Sequence, residues 1–103
     1  KENVSDVRNT KVADIVRELQ SYRVKVDLVD PYADAQEVMH EYQIEMKPQP
    51  TGTYDAIIVA VAHHEYRAMT EPDFLKFANE HCLLVDVKGL YANRIKKMEY
   101  WSL

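Results

Sequence analysis

The stretch Ala56-Ile-Ile-Val-Ala-Val-Ala62 constrains this chain more than any other. It is an uninterrupted apolar run, with Thr51-Gly52 ahead of it and His63-His64-Glu65 behind it. A strand with one wet face alternates. A continuous run of this length reads as a strand buried on both faces, as in a parallel sheet covered by helices. It is also too short to span a bilayer.

The rest of the chain supplies partners for such a strand. From Lys11 to Gln20, Val12, Ile15, Val16 and Leu19 recur at helical spacing, with Asn9 or Thr10 as the cap. The helix stops near Ser21-Tyr22-Arg23, where a glycine would be the usual left-handed stop. Val24 to Val29 alternates and predicts a strand, ended by Asp30-Pro31. Asp34 stands three residues before Glu37 and predicts a capped helix from Ala35 to about Tyr42, with Val38 and Tyr42 inward. Ile44 to Met46 reads as a brief edge strand, and Lys47 to Gly52 as a loop. A further helix is expected from Thr70 to about Glu80, with Pro72 in its first turn and Phe74, Leu75, Phe77 and Ala78 on its apolar face. Leu83 to Asp86 is the next strand, and Tyr100 to Leu103 a final one.

Helices alternating with strands imply βαβ units. The expected fold is therefore α/β: a Rossmann-like three-layer domain with a mostly parallel sheet, spanning residues 1–103 as a single domain. The series opens on a helix, so the first strand is expected to lie just before Lys1. The chain starts without a methionine and reads as a fragment of a longer protein. Lys1, Asp30, His63 and Lys88 would then each follow a strand. In open α/β sheets ligands gather at that edge.

Composition narrows the chemistry. A net charge of −4 opposes a general nucleic-acid surface, which needs a basic stripe. The aromatic residues are scattered and form no stacking platform. No signal peptide is visible, and no membrane association is expected. The single cysteine, Cys82, forms no internal disulfide, fits a reducing, cytoplasmic setting, and reads as a small core residue without a base beside it. With only Gly52 and Gly89, the chain has neither a GxGxxG fingerprint nor a P-loop. Any nucleotide would have to be held by side chains and ordinary backbone. Adjacent His63 and His64 point to opposite sides of an extended stretch, and His40 and His81 lack ligand spacing, so no metal site is expected. The sequence leaves open whether His63 or His64 touches a ligand. Lys1, Arg8 and Lys88 are the candidate anion-binding cations. Their plain reading is as solvated charges, since such residues are mostly exposed. Asp6 and Arg8 can also pair with each other, for about 0–1 kcal/mol.

Lys1-x4-Asp6-x-Arg8-Asn9-Thr10 resembles the start of the C-terminal, UDP-binding domain of the UDP-glucose/GDP-mannose dehydrogenase family. Val29-Asp30-Pro31, Tyr54-Asp55-Ala56 with Ala62-His63, and Val85-Asp86-Val87-Lys88-Gly89 agree with that family in order and spacing. The pairing of Asp-Val-Arg-Asn-Thr with Asp-Val-Lys-Gly is most similar to the bacterial branch acting on UDP-N-acetylhexosamines. The resemblance implies an NAD-dependent parent that oxidises the C6 alcohol of a UDP-sugar to a uronic acid for surface polysaccharide, through a cysteine-bound thiohemiacetal. It implies that NAD is held mainly by an N-terminal domain, that the catalytic cysteine lies in a central dimer-forming domain, and that the parent is a homodimer. By position, Lys1 and Lys88 would bind the UDP-sugar and Arg8 would reach NAD. The family often has arginine near Lys88, and a common glycine is replaced by Arg23. No residue of this chain matches a catalytic one, so the chain alone is expected to be inactive. The specific sugar is set outside it. Two other readings stand beside this one. A free-standing, non-catalytic nucleotide-binding module would have no dehydrogenase domains upstream. A receiver-like domain could use Asp30 and Asp86 but lacks the partner acids.

Overall fold

The computed structural model describes residues 10–103. They fall into two compact units, one ending at Pro50 and one running from Thr51 to Leu103.

The first unit is built on two helices. Helix α1, Thr10–Ser21, buries Ala13 and Val16; helix α2, Ala35–Tyr42, buries Val38 and Tyr42. These four side chains form one core, flanked by Val12, Leu28, Ala33, Ile44 and Met46. Val38 is fully enclosed, and its burial contributes about 2 kcal/mol. Gln20 Nε2 donates to the Tyr42 carbonyl at 2.9 Å, and Arg17 pairs with Glu41 at 2.7 Å. The ion pair is largely solvated and adds at most about 1 kcal/mol. Asp34 caps α2 as its spacing predicts: its carboxylate accepts from the Gln36 and Glu37 amides at 2.7 and 3.3 Å.

The end of α1 shows what replaces the expected glycine. Arg23 itself adopts the left-handed conformation, at φ 59. Its N–H donates to Gln20 O at 2.9 Å, and the Val24 N–H donates to Leu19 O at 3.2 Å. This pair of bonds is a Schellman motif, closed on a residue that carries a Cβ.

The second unit holds the sheet. Strands β1, Tyr54–Val59, β2, Ala78–Asp86, and β3, Glu99–Ser102, lie in the order β1-β2-β3, all parallel. The α/β class and the parallel sheet expected from the sequence are thus formed. Two short helices, α3 at His64–Arg67 and α4 at Glu71–Leu75, connect β1 to β2. The core is Val59, Phe74, Leu84 and Tyr91. No helix among the described residues is long and apolar enough to cross a membrane.

Several expectations are corrected. Among the described residues, 24–29 and 44–46 form no ladder; the Lys47 N–H donates to Leu28 O at 3.1 Å between the segments that contain them. Alternation makes a strand only where a partner backbone is in register. The apolar run begins its strand earlier, at Tyr54, and ends it earlier, at Val59, because the chain turns at Ala60–His63 into α3. Within β1 only Val59 is buried, and Ala56 is exposed, so the run is not enclosed on both faces. The helix expected to reach Glu80 stops at Leu75. There the Phe77 carbonyl accepts the Tyr54 N–H at 2.7 Å, which draws the chain into the sheet instead. Leu75, expected inward, is 40% exposed.

The loop entering β3 is tied to α4 by one carboxylate. Glu71 accepts the amides of Lys96, Lys97 and Met98 at distances from 2.7 to 3.1 Å. The Met98 N–H is the largest cause holding Glu71 below its ordinary value of 4.5; desolvation opposes it, and the Lys97 and Lys96 amides add to the lowering. Asp73 is lowered in the same way by the Thr70 amide and hydroxyl.

Two expectations follow. Replacing Arg23 by glycine removes the Cβ strain at φ 59 and should raise stability by about 1 kcal/mol, read from urea unfolding. A lowered carboxylate stabilises the fold above its unfolded value, and that contribution disappears as pH falls through the folded value. The stability advantage of wild type over Glu71→Gln should therefore be present at pH 7 and shrink below pH 4.5. An advantage that grew on acidification would contradict this role.

Candidate functional site

Parallel strands bring their C-terminal ends to one side. Register pairs Val59 with Asp86 and Asp86 with Ser102, so the loops after β1 and β2 leave the same edge. The Val87 N–H donates to Val59 O at 3.0 Å and extends the pairing one step beyond β2. His63 and Lys88 therefore share this edge. Asp30 belongs to the first unit, where its Oδ1 accepts the Tyr32 amide at 2.7 Å in a turn over Pro31. Lys1 and Arg8 lie outside the described residues.

The centre of the edge is Asp86, which is fully buried. A buried carboxylate is tolerated only when its oxygens are filled with donors. Here Oδ1 accepts the Leu90 amide at 2.9 Å. Oδ2 accepts the Tyr91 amide at 2.7 Å and the Tyr100 hydroxyl at 2.6 Å. The Gly89 N–H also donates to the Asp86 carbonyl at 3.3 Å. The result is a closed turn, Asp86 to Tyr91, wrapped around its own first side chain. Gly89 sits in it at φ 71, a conformation that a residue with a Cβ adopts only under strain.

Lys88 stands on this turn, exposed, with no hydrogen bond or ion pair to any described residue. A cation on a closed turn at the C-terminal edge of the sheet can meet an anion without first giving up a partner among the described residues.

Tyr91 ties the turn to the neighbouring loop. Its hydroxyl donates to the Tyr66 carbonyl in α3, and its ring meets Phe74 of α4 edge-on at 5.0 Å. Burial, reinforced by the nearby Asp86, pushes its phenol well above the ordinary range. His63 is buried ahead of α3, with its ring 5.5 Å from that of Tyr66. His64 is exposed, 3.5 Å from Glu65. No buried side-chain nitrogen or oxygen among the described residues lacks a partner. Nor do the described residues bring three metal-ligating side chains together. Cys82 is buried, and burial raises its thiol above the ordinary value, which suits a core residue better than a nucleophile.

Sequence reasoning found Lys88 but missed what holds it. Asp86 stands in a family-like motif and among the acids of a receiver-like reading, and neither gives its side chain the turn to close. The local signal was present: an aspartate shortly before a glycine favours a side-chain-closed turn. Tyr100 carried no signal, because its contact spans residues far apart in the chain.

A model of the UDP-glucose/GDP-mannose dehydrogenase family, UDP binding domain, matches residues 1–93. The chain is 47% identical over 91 residues to a UDP-N-acetyl-D-glucosamine 6-dehydrogenase of Pseudomonas aeruginosa, covering 87% of this chain and 22% of that protein. It is 44% identical over 89 residues to the protein of the same name from Salmonella typhi, covering 85% and 21%. Protein CapL of Staphylococcus aureus is 30% identical over 91 residues, covering 87% and 21%. The chain thus spans about a fifth of the length of these relatives.

Removing the Asp86 carboxylate would strand two amides and a hydroxyl in a buried setting. Each unsatisfied donor costs about 1–3 kcal/mol. Asp86→Ala should lower stability by about 3 kcal/mol or more in urea unfolding, and a loss under about 1 kcal/mol would mean that water or another acceptor takes its place.

Proposed function

The chain belongs to the UDP-glucose/GDP-mannose dehydrogenase family, as its UDP binding domain, and on that premise we propose that it serves an NAD-dependent nucleotide-sugar 6-dehydrogenase. The parent oxidises the C6 alcohol of a UDP-hexose or UDP-N-acetylhexosamine to a uronic acid for surface polysaccharide. The names of the two closely similar relatives favour UDP-N-acetylglucosamine among those substrates. In this reading residues 1–103 form a C-terminal domain of a cytoplasmic homodimer. Its partners are the NAD-binding and central domains of the same chain, and alone it turns nothing over.

One observation carries the local assignment. Lys88 is an exposed cation without a partner among the described residues, on a turn fixed at the C-terminal sheet edge. An ammonium so placed supports charge-assisted hydrogen bonds to a diphosphate. Lys1 is proposed as a second contact to the nucleotide sugar, and Arg8 as the residue reaching NAD. The described residues do not themselves fit a dinucleotide. They hold no glycine-rich cradle, Gly89 being spent on the Asp86 turn, and α3 and α4 are single short helices. NAD is therefore assigned mainly to the parent's other domain.

Calorimetric titration of UDP into wild type and Lys88→Ala tests the assignment. The variant should bind about tenfold or more weakly, the loss of one charge-assisted bond. Equal affinities would remove Lys88 from the site.

A further inference from the structure

Tyr100 differs from the other donors around Asp86 in where it comes from. The Leu90 and Tyr91 amides belong to the turn itself, so they close it but do not anchor it to β3. Tyr100 is carried by β3, which lies beyond the residues matched by the family model. Its backbone pairs with Leu84 of β2, and its side chain reaches along the sheet to Asp86 Oδ2 at 2.6 Å. The strand is fixed at its own start, where Glu71 holds the Lys96, Lys97 and Met98 amides. The hydroxyl therefore joins a carboxylate that shapes the turn to a strand clamped from α4. Tyr100 is half-buried, its ring packs against the core of Val59, Phe74, Leu84 and Tyr91, and its hydroxyl is the donor that reaches Asp86 from outside the turn.

We propose that Tyr100 is a positioning residue for the nucleotide: through Asp86 it holds the turn Asp86 to Tyr91 in the shape that UDP takes. The proposal rests on the reading of Lys88 given above. Desolvation, with the bond to Asp86, raises the Tyr100 phenol above its ordinary value of 10, so it stays a donor throughout the neutral range. Removing the hydroxyl leaves the ring, its packing and the β3 pairing in place. It takes away the bond between the Asp86 carboxylate and β3.

The test is a cycle of wild type, Tyr100→Phe, Lys88→Ala and the double variant. UDP is titrated into each well below its unfolding midpoint, and amide exchange is followed at Leu90 and Tyr91. Tyr100→Phe should bind UDP about fivefold more weakly and exchange those two amides faster, while amides of β1 and β2 keep their rates. In the Lys88→Ala background the same change should cost little further affinity, because the two residues act through one turn. Wild-type affinity for Tyr100→Phe beside a weakened Lys88→Ala would overturn the proposal and leave the Lys88 reading standing. So would an equal fivefold loss in both backgrounds, or exchange that quickens uniformly through the sheet, since each describes a tyrosine that stabilises without positioning. If Lys88→Ala binds as wild type does, the Lys88 reading fails. The proposal, which rests on that reading, then falls with it.

Discussion

A charge that is fully buried must be surrounded, and in the sheet unit the turn after β2 is arranged to surround one. The Asp86 carboxylate gathers two amides of its own turn and a hydroxyl from the neighbouring strand. Its burial and its bonds together set the path of the chain through Lys88 and Gly89. Tyr91, fixed by the same carboxylate, carries the constraint onward to α3 through the Tyr66 carbonyl and to α4 through Phe74. Loops that would otherwise be independent are thereby coupled. The exposed lysine at the edge is the outer end of a rigid construction.

The family and the geometry answer different questions. Membership follows from the match over residues 1–93 and from identities of 44% and 47% to two 6-dehydrogenases. The geometry adds an exposed cation on a closed turn, the arrangement on which the proposed side-chain contact to a phosphate rests. Glycine's freedom is used here for the turn's own closure, at Gly89.

The sequence was legible wherever the structure is local. Periodicity located α1 and α2, and the Asp34 cap and the inward Val38 and Tyr42 follow from short-range spacing. The buried Cys82 and the parallel α/β class were also readable. Legibility failed where a distant partner decides. Val24 to Val29 has the composition of a strand but no ladder among the described residues. The segment after Leu75 has helical spacing, yet Tyr54 claims the Phe77 carbonyl. At the candidate site Lys88 could be found from its place after a strand, whereas Tyr100 could not, since nothing local links it to Asp86. Lys1 and Arg8, candidate cations from their place in the sequence and given roles by the resemblance, lie outside the described residues.

The position of β3 bears on where this domain can be cut. A boundary drawn at the end of the family match, residue 93, would discard Glu99 to Ser102 and the amides held by Glu71. Strand β2, central in the present sheet, would become an edge, with a row of open amides and carbonyls beside Leu83, Leu84 and Val85. Open apolar edges recruit other chains, so a domain trimmed by sequence similarity would be an aggregation-prone reagent. The few residues beyond the match are what pair with β2 on that side.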